Sequence, residues 1–407
     1  MTPTSRSSFP IFARVLLGVG LGAAATLGTG WYFADELVKA KPVRRPIPRT
    51  RVLAVSREGS ETLIRLTRNL ITARPGVITL DWDDEDGGSL LGPVAEGGSD
   101  WVTRPLLRGG LYLHPGLTVR PSSMGLGTPK ARGLIYDNLV LDGEHGPLPA
   151  WFVPGQDGVP SANPAEDWVI IMHGYQGLRQ DALRYLPAYH AYGLSSLVVT
   201  YRNAHGAGRT PQGVYRLSAD EWEDLEVAVK YAREHGAKRI VLMGLSMGGS
   251  ITLAFMRRSK LARHINGVIL DSPALEWREL IKHHAVRFHL PVFLAPIVAR
   301  LTTLKSGQDF DAVDHFQHAH VYDLHMLIFH GSDDNTVPVV QLDRLFEARP
   351  DLIEYVRVEG GQHLRNWNMD IEAYERHLRQ YLGRMLGSAE PNQPEVPTPA
   401  HKENSNV

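Results

Sequence analysis

Cysteine is absent from this 407-residue chain, which excludes disulfides and thiol chemistry. It leaves the compartment open, because a cysteine-free protein suits either side of a membrane. A charge imbalance is absent too: 43 Lys and Arg stand against 44 Asp and Glu, a formal net charge of −1. With no basic stripe in the folded part, nucleic acid is not an expected partner. Apolar residues make up 43% of the chain, an ordinary share, so a sizeable core is available for two domains or for one large α/β domain with additions.

Charge is also missing from Val15 to Phe33, a run of 19 residues. As a helix it would measure ~28 Å, close to a bilayer core. Trp31, Tyr32 and Phe33 close it as an interfacial belt would. The expectation is a single-pass membrane anchor with the lipid bilayer as partner. A cleaved signal peptide, with Arg6 and Arg14 before the run and Ala23–Ala25 as a small-residue site, is one alternative, and a buried helix is the other. Lys39, Lys41, Arg44 and Arg45 after the run would by charge bias keep the large domain in the cytoplasm, whereas the signal-like composition favours an extracytoplasmic, membrane-attached location. Lys41 to Pro48 reads as a proline-rich linker, so that residues 1–50 are anchor and linker.

Residues 51–131 read as a small β-rich module. Val77–Trp82, Trp101–Arg104 and Leu111–Leu113 are short strand-like runs between glycine and proline turns. Asp81, Asp83, Asp84, Glu85 and Asp86 cluster there, but a calcium loop counted from Asp81 would have Asp86 in place of its glycine and Gly92 in place of its glutamate. A solvated acidic turn is the better reading.

From about Arg132 strands alternate with helices. Leu134–Leu141 and Leu148–Val153 open as an antiparallel pair, and Trp168–Met172, Ser196–Tyr201, Ile240–Met243, Gly267–Asp271, Met326–Phe329 and Ile353–Val358 follow as buried strands. A helix is expected around Asp181–Tyr192, and a longer one opened by the capping box Ser218–Glu221 and closed at Gly236. This alternation implies a doubly wound, mostly parallel, eight-stranded α/β sheet over residues 132–387, with ligands at the carboxyl ends of its strands. Residues 388–407 are polar, proline-rich and without period, and read as a disordered tail.

Four sites fall at those strand ends. Gly244-Leu-Ser-Met-Gly248 sits between a strand and a helix, where a serine in a tight strained turn needs neighbours almost without side chains. His330–Pro338, Gly360–His363 and His173–Gly177 follow three other strands. A serine hydroxyl needs an adjacent base, an imidazole suits that task, and the imidazole needs a carboxylate on its far nitrogen. The developing oxyanion needs backbone N–H donors, one from Met247 after the serine and one from a glycine-bearing loop, for which Tyr175 is the candidate.

These motifs resemble those of α/β-hydrolase-fold serine hydrolases, in the esterase and serine-aminopeptidase-like branch, over about Arg132–Gly387. His330-Gly-x-x-Asp334-x-x-Val337-Pro338 is similar to that family's acid loop, and its frame puts the acid on Asp334. His173-Gly-x-x-Gly177 is similar to its oxyanion loop. Tyr201-Arg-Asn203, Glu221-Trp222 and Gly244–Gly249 also resemble a set of bacterial membrane-anchored members. The resemblance implies a Ser246–Asp334–His363 triad in the chain order of that family, with Tyr175 and Met247 as oxyanion donors, and no metal or other cofactor.

Asp333 and Asp271 compete for the acid. His330 and His173 are expected to brace their loops, and Tyr175 could donate through its phenol or wall the pocket. A helical lid is expected at about 274–324, where Glu276–Lys282 and Phe293–Leu301 read as amphipathic helices. His283-His284 and His315-x-x-His318-x-His320 lack the framing that a metal site needs. The expected activity is hydrolysis of a small-molecule ester, thioester or amide. Ester leads because no acidic pair that would capture a peptide amino terminus is visible. A peptidase or acyltransferase with the same residues, or a binding module on a dead fold, are the rivals.

Overall fold

A computed structural model describes residues 9–41, 49–81, 88–110, 113–159 and 163–386, with side chains from Ala24 onward. The expected linker (42–48), the acidic residues after Asp81, most of the Leu111–Leu113 run and the tail lie outside the described residues.

The uncharged N-terminal run lies within one helix, α1 (Phe9–Val38). Among the described residues no helix is long and apolar enough to cross a membrane. This overturns the expected anchor, the bilayer as partner and the membrane location. Ten of the 19 residues from Val15 to Phe33 are Gly, Ala or Thr, which carry little apolar surface. The helix end is instead a packing element. Ala34 and Val38 are fully buried, and Asp35 pairs with Lys305, whose ammonium also lies 4.8 Å from the Trp31 ring centre. Beyond α1 the chain bridges Lys39 to Val214, with Tyr215 N–H donating to the Val38 carbonyl at 2.7 Å.

The next strands are β1 (Thr50–Glu58), β2 (Glu61–Thr67), β3 (Ile78–Asp81), β4 (Gly88–Leu91), β5 (Glu96–Gly97), β6 (Trp101–Arg108) and β7 (Thr118–Ser122). They pair antiparallel in the order β2-β1-β7-β3-β4-β6-β5, and β2 also pairs β6, so six of them close on themselves. Period-two alternation fills the inside: Ile64 and Leu66 are buried while Arg65 and Thr67 are exposed. Val52, Ile78, Leu80, Leu91, Val102 and Val119 complete this core. Arg104 is buried with it, and its guanidinium donates to the carbonyls of Thr72, Arg74, Gly76 and Gly92, which offsets its desolvation.

A second sheet follows from β8 (Asp137–Gly143), β9 (Gly146–Val153), β10 (Asp167–Met172), β11 (Ser195–Val199), β12 (Arg239–Leu245), β13 (Ile265–Asp271), β14 (Met326–Gly331) and β15 (Ile353–Val358). Its order is β15-β14-β13-β12-β10-β11-β9-β8, antiparallel at β8–β9 and β9–β11 and parallel elsewhere. The central strands read as unbroken apolar runs because both faces are covered. In β10, Trp168, Ile170 and Met172 face one core layer, while Val169 and Ile171 face the other.

The covering helices are α2 (Leu186–Ala191), α3 (Trp222–Glu234), α4 (Met247–Arg258), α5 (Trp277–Arg287), α6 (Leu294–Ser306), α7 (Val340–Ala348), α8 (Asn366–Met369) and α9 (Ile371–Leu386). Two starts differ from expectation. The helix expected from Asp181 is a 3₁₀ turn at Arg179–Ala182 followed by α2, because Pro187 has no N–H and its ring would clash one turn back. α3 begins at Trp222, not Ser218. Glu221 does accept from Ser218 N–H at 2.8 Å, as in a capping box, but Ser218 is left-handed (φ +85°) and its hydroxyl has no partner among the described residues.

Candidate active site

β12 runs into Ser246, whose φ of 53° and ψ of −115° place it in a region costly for any residue with a side chain. A Cβ on Gly248 would lie 2.2 Å from the Met172 carbonyl oxygen, and one on Gly244 would lie 2.5 Å from Gly249 Cα. The turn therefore closes only with glycine at both places. α4 begins at Met247, so its first N–H groups, which have no intrahelical acceptor, face the serine side of the turn.

The structure brings three of the predicted side chains into one row. His363 Nε2 lies 2.9 Å from Ser246 Oγ, and His363 Nδ1 lies 2.7 Å from Asp334 Oδ2. The other carboxylate oxygen, Oδ1, accepts from the Thr336 and Val337 N–H groups at 2.9 Å each. Burial alone would raise the Asp334 pKa. Hydrogen bonds from His330 and His363 outweigh it and hold the carboxyl well below the usual range. His330 Nε2 sits 3.3 Å from Asp334 Oδ2 and 2.9 Å from the Val337 carbonyl, so it braces the loop. The loops of Asp334 and His363 touch directly: Asp333 N–H donates to the Gly361 carbonyl at 2.9 Å, and a Cβ on Gly331 would lie 2.0 Å from that oxygen.

The rival carboxylates are placed elsewhere. Asp333 takes the Ser332 hydroxyl. Asp271 is fully buried and accepts from Tyr185 and Tyr374 hydroxyls and Asn366 Nδ2 at 2.9, 3.1 and 2.8 Å. Its neighbour Ser272 accepts from Leu364 N–H at 3.2 Å, which supports the turn that carries His363. Nothing in the sequence pattern marked this network, because it joins a strand end to residues 86 positions earlier and 95 and 103 positions later.

Gly174 brings the next loop against the serine; a Cβ there would lie 3.2 Å from Ser246 Cβ. Tyr175 follows it. Its phenol donates to the Glu36 carbonyl of α1 at 2.9 Å and accepts from Gln176 Nε2, so the hydroxyl is committed to α1. His173 is buried, with Nδ1 2.9 Å from the Gly174 carbonyl and its ring stacked on Tyr201.

Ser246 opens into a cavity of about 360 Å³ walled by α1, α5 and α6. Sequence reasoning missed the α1 residues that line it: Phe33 ended the run read as bilayer-spanning, and Glu36 and Leu37 fell between that run and the expected linker. α5 and α6 fall inside the segment expected to be a lid. The histidines there do not converge. His283 faces the Asn335 carbonyl, His284 lines the cavity and His315 is buried against the Tyr322 hydroxyl. Among the described residues no three His, Cys, Asp or Glu side chains form a group that could hold a metal.

Residues 163–318 match the family model for serine aminopeptidase, S33 (Hydrolase_4), and residues 51–122 match a domain of unknown function (DUF8805). The uncharacterized protein YqkD of Bacillus subtilis (strain 168) is 23% identical over 228 residues, which span 54% of this chain and 73% of that protein. The esterase PF2001 of Pyrococcus furiosus superimposes with a TM-score of 0.51 at 20% identity, covering 64% of this chain and 95% of that one. A puromycin-hydrolyzing peptidase of Mycobacterium tuberculosis does so with a TM-score of 0.50 at 17% identity, covering 82% of this chain and 47% of that one. At these identities the structural likenesses establish the fold.

Proposed function

We propose that the chain, whose residues 163–318 match the family model for serine aminopeptidase S33, hydrolyses carboxylic esters through an acyl-enzyme on Ser246. The observation that carries this reading is the 2.9 Å and 2.7 Å relay from Ser246 Oγ through His363 to Asp334. His363 Nε2 takes the Ser246 proton as Oγ bonds to the acyl carbon, and Asp334 holds the imidazole in the required tautomer. The oxyanion that forms is held by the N–H groups of Met247 and Tyr175. The proton passes from His363 to the departing alcohol. Water, deprotonated by the same imidazole, then attacks the acyl carbon; as the acyl–Oγ bond breaks, the imidazolium returns the proton to Ser246 and the carboxylic acid leaves.

An ester suits the site better than a peptide with a free amino terminus. Among the described lining residues Glu36 is the one carboxylate, and it is paired with Lys41. Among the described residues neither Lys nor Arg lines the cavity, so a charged acyl group would find no cationic partner among them.

Purified protein incubated with a fluorophosphonate probe is expected to be labelled, and Ser246→Ala to be blank. Equal labelling of the two would remove Ser246 from the reaction. Presenting aminoacyl amides and alcohol acceptors beside p-nitrophenyl butyrate separates ester hydrolysis from peptidase or acyltransferase activity by the product formed.

A further inference from the structure

The cavity beside Ser246 is closed on one side by an element outside the hydrolase domain. Phe33 and Leu37, one turn apart on α1, face Trp277 and Leu280 of α5 and Val298 of α6 across it. The α1 wall is held from three directions. On the α6 side, Gly30 admits Ile297 and Leu301, where a Cβ would meet Ile297 Cγ2 at 2.9 Å, and Asp35 pairs with Lys305. At its end the chain hydrogen-bonds to residues 213–215, through Ala40 N–H to the Gly213 carbonyl and Tyr215 N–H to the Val38 carbonyl. Beside the serine, Tyr175 donates to the Glu36 carbonyl.

We propose that α1 is the length gauge of the acyl site: the substrate carries an uncharged, apolar acyl chain, and Phe33 and Leu37 set how long a chain fits. The proposal rests on the ester-hydrolase reading above. The lining is apolar apart from Glu36, Tyr175, His284, Thr336 and Ser246 itself. A dry cavity of ~150 Å³ accepts a six-carbon ring, so about 360 Å³ accommodates roughly a dozen carbons. Phe288, which lines the cavity and is more than half exposed, gives the mouth an apolar rim through which such a chain can enter.

The test is a series of p-nitrophenyl esters from acetate to hexadecanoate. Each added methylene that enters the cavity is expected to raise kcat/KM roughly threefold to fourfold, up to about a dozen carbons, after which it falls. Leu37→Trp is expected to shorten the optimum and to lower turnover of the dodecanoate at least tenfold relative to the butyrate. Phe33→Ala is expected to move the optimum to longer chains, and Phe33→Leu keeps that arm available if the larger excision fails to fold. A wild-type profile flat with chain length, or an optimum that neither variant moves, overturns the proposal while leaving the ester-hydrolase reading intact. Absence of both labelling and turnover sinks that reading instead. The gauge is then judged by methyl decanoate binding to the Ser246→Ala protein, followed by calorimetry. Saturable binding weakened by Leu37→Trp supports it, and no binding overturns it.

Discussion

At the scale of single residues, Asp334 does the most with the fewest atoms. Its two oxygens accept from two backbone N–H groups and face two imidazoles, all of which favour its charge. A carboxyl held below its usual pKa stabilises the fold fully above the unfolded value of ~4, and loses that contribution as pH falls through its lower folded value. The relay is therefore charged throughout the neutral range, and losing it requires acid. Asp334→Asn preserves the shape but forces the wrong imidazole tautomer. It is expected to lower kcat on p-nitrophenyl butyrate by roughly 10³–10⁴, while circular dichroism at pH 7 stays that of the wild type. A drop smaller than tenfold would move the acid role to another carboxylate. Ser246 and His363 were legible in the sequence because each sits within three residues of glycines that follow an apolar run, a signal that survives without knowledge of the fold, whereas Asp334 was separated from Asp333 only by the frame of the family resemblance.

At the scale of elements, the strand–turn–helix from β12 to α4 has a tightly specified geometry. The Met172 carbonyl occupies the place where a side chain on Gly248 would begin. Backbone cannot swing aside as a flexible side chain can. Gly248→Ala is expected to destabilise the protein by at least about 1–3 kcal/mol, read as a lower midpoint in urea unfolding, and to depress probe labelling beyond that loss. An unchanged midpoint would show that the turn relaxes freely. α1 is the opposite case. Its run from Val15 to Phe33 has no charge, and period and composition read alike for a bilayer and for a groove between helices. What decides between them is Gly30 against Ile297 and Leu301, a contact between distant parts of the chain that no local pattern encodes. The start of α3 failed for a different reason. The Ser218–Glu221 motif is present, but Leu217 and Ser218 take positive φ and delay the helix to Trp222.

At the scale of the whole molecule, the small closed sheet is joined to the large one just behind the histidine turn. Asn368 lies five residues after His363. Its side-chain amide donates to the Val77 and Ser123 carbonyls at 3.0 Å each and accepts from Arg184 at 3.2 Å, while its own carbonyl takes the Val77 N–H. Gly76 has no room for a Cβ, which would lie 2.3 Å from that carbonyl. Asn368→Ala removes the side-chain donor of the Val77 carbonyl, at a cost of about 1–3 kcal/mol, and one of the partners of the Ser123 carbonyl and of Arg184, which keep each other at 3.3 Å. The expected outcome is a lower melting temperature accompanied by reduced kcat, because the clamp and the His363 turn are continuous. A variant with unaltered melting and turnover would show that the small sheet is docked by other contacts.

The seating of α1 also orders events in time. Its residues are synthesised before those they rest on, since Ile297, Leu301 and Lys305 belong to α6 and the 213–215 segment also comes later in the chain. The seven-stranded sheet has a core of its own and can collapse as it emerges. The helix end has no such recourse: Ala34, Val38 and Phe33 must wait in the nascent chain until α6 exists. The wall beside the serine is thus made before the elements that seat it, so a chain stalled ahead of α6 would carry an exposed apolar helix in search of any groove that fits it.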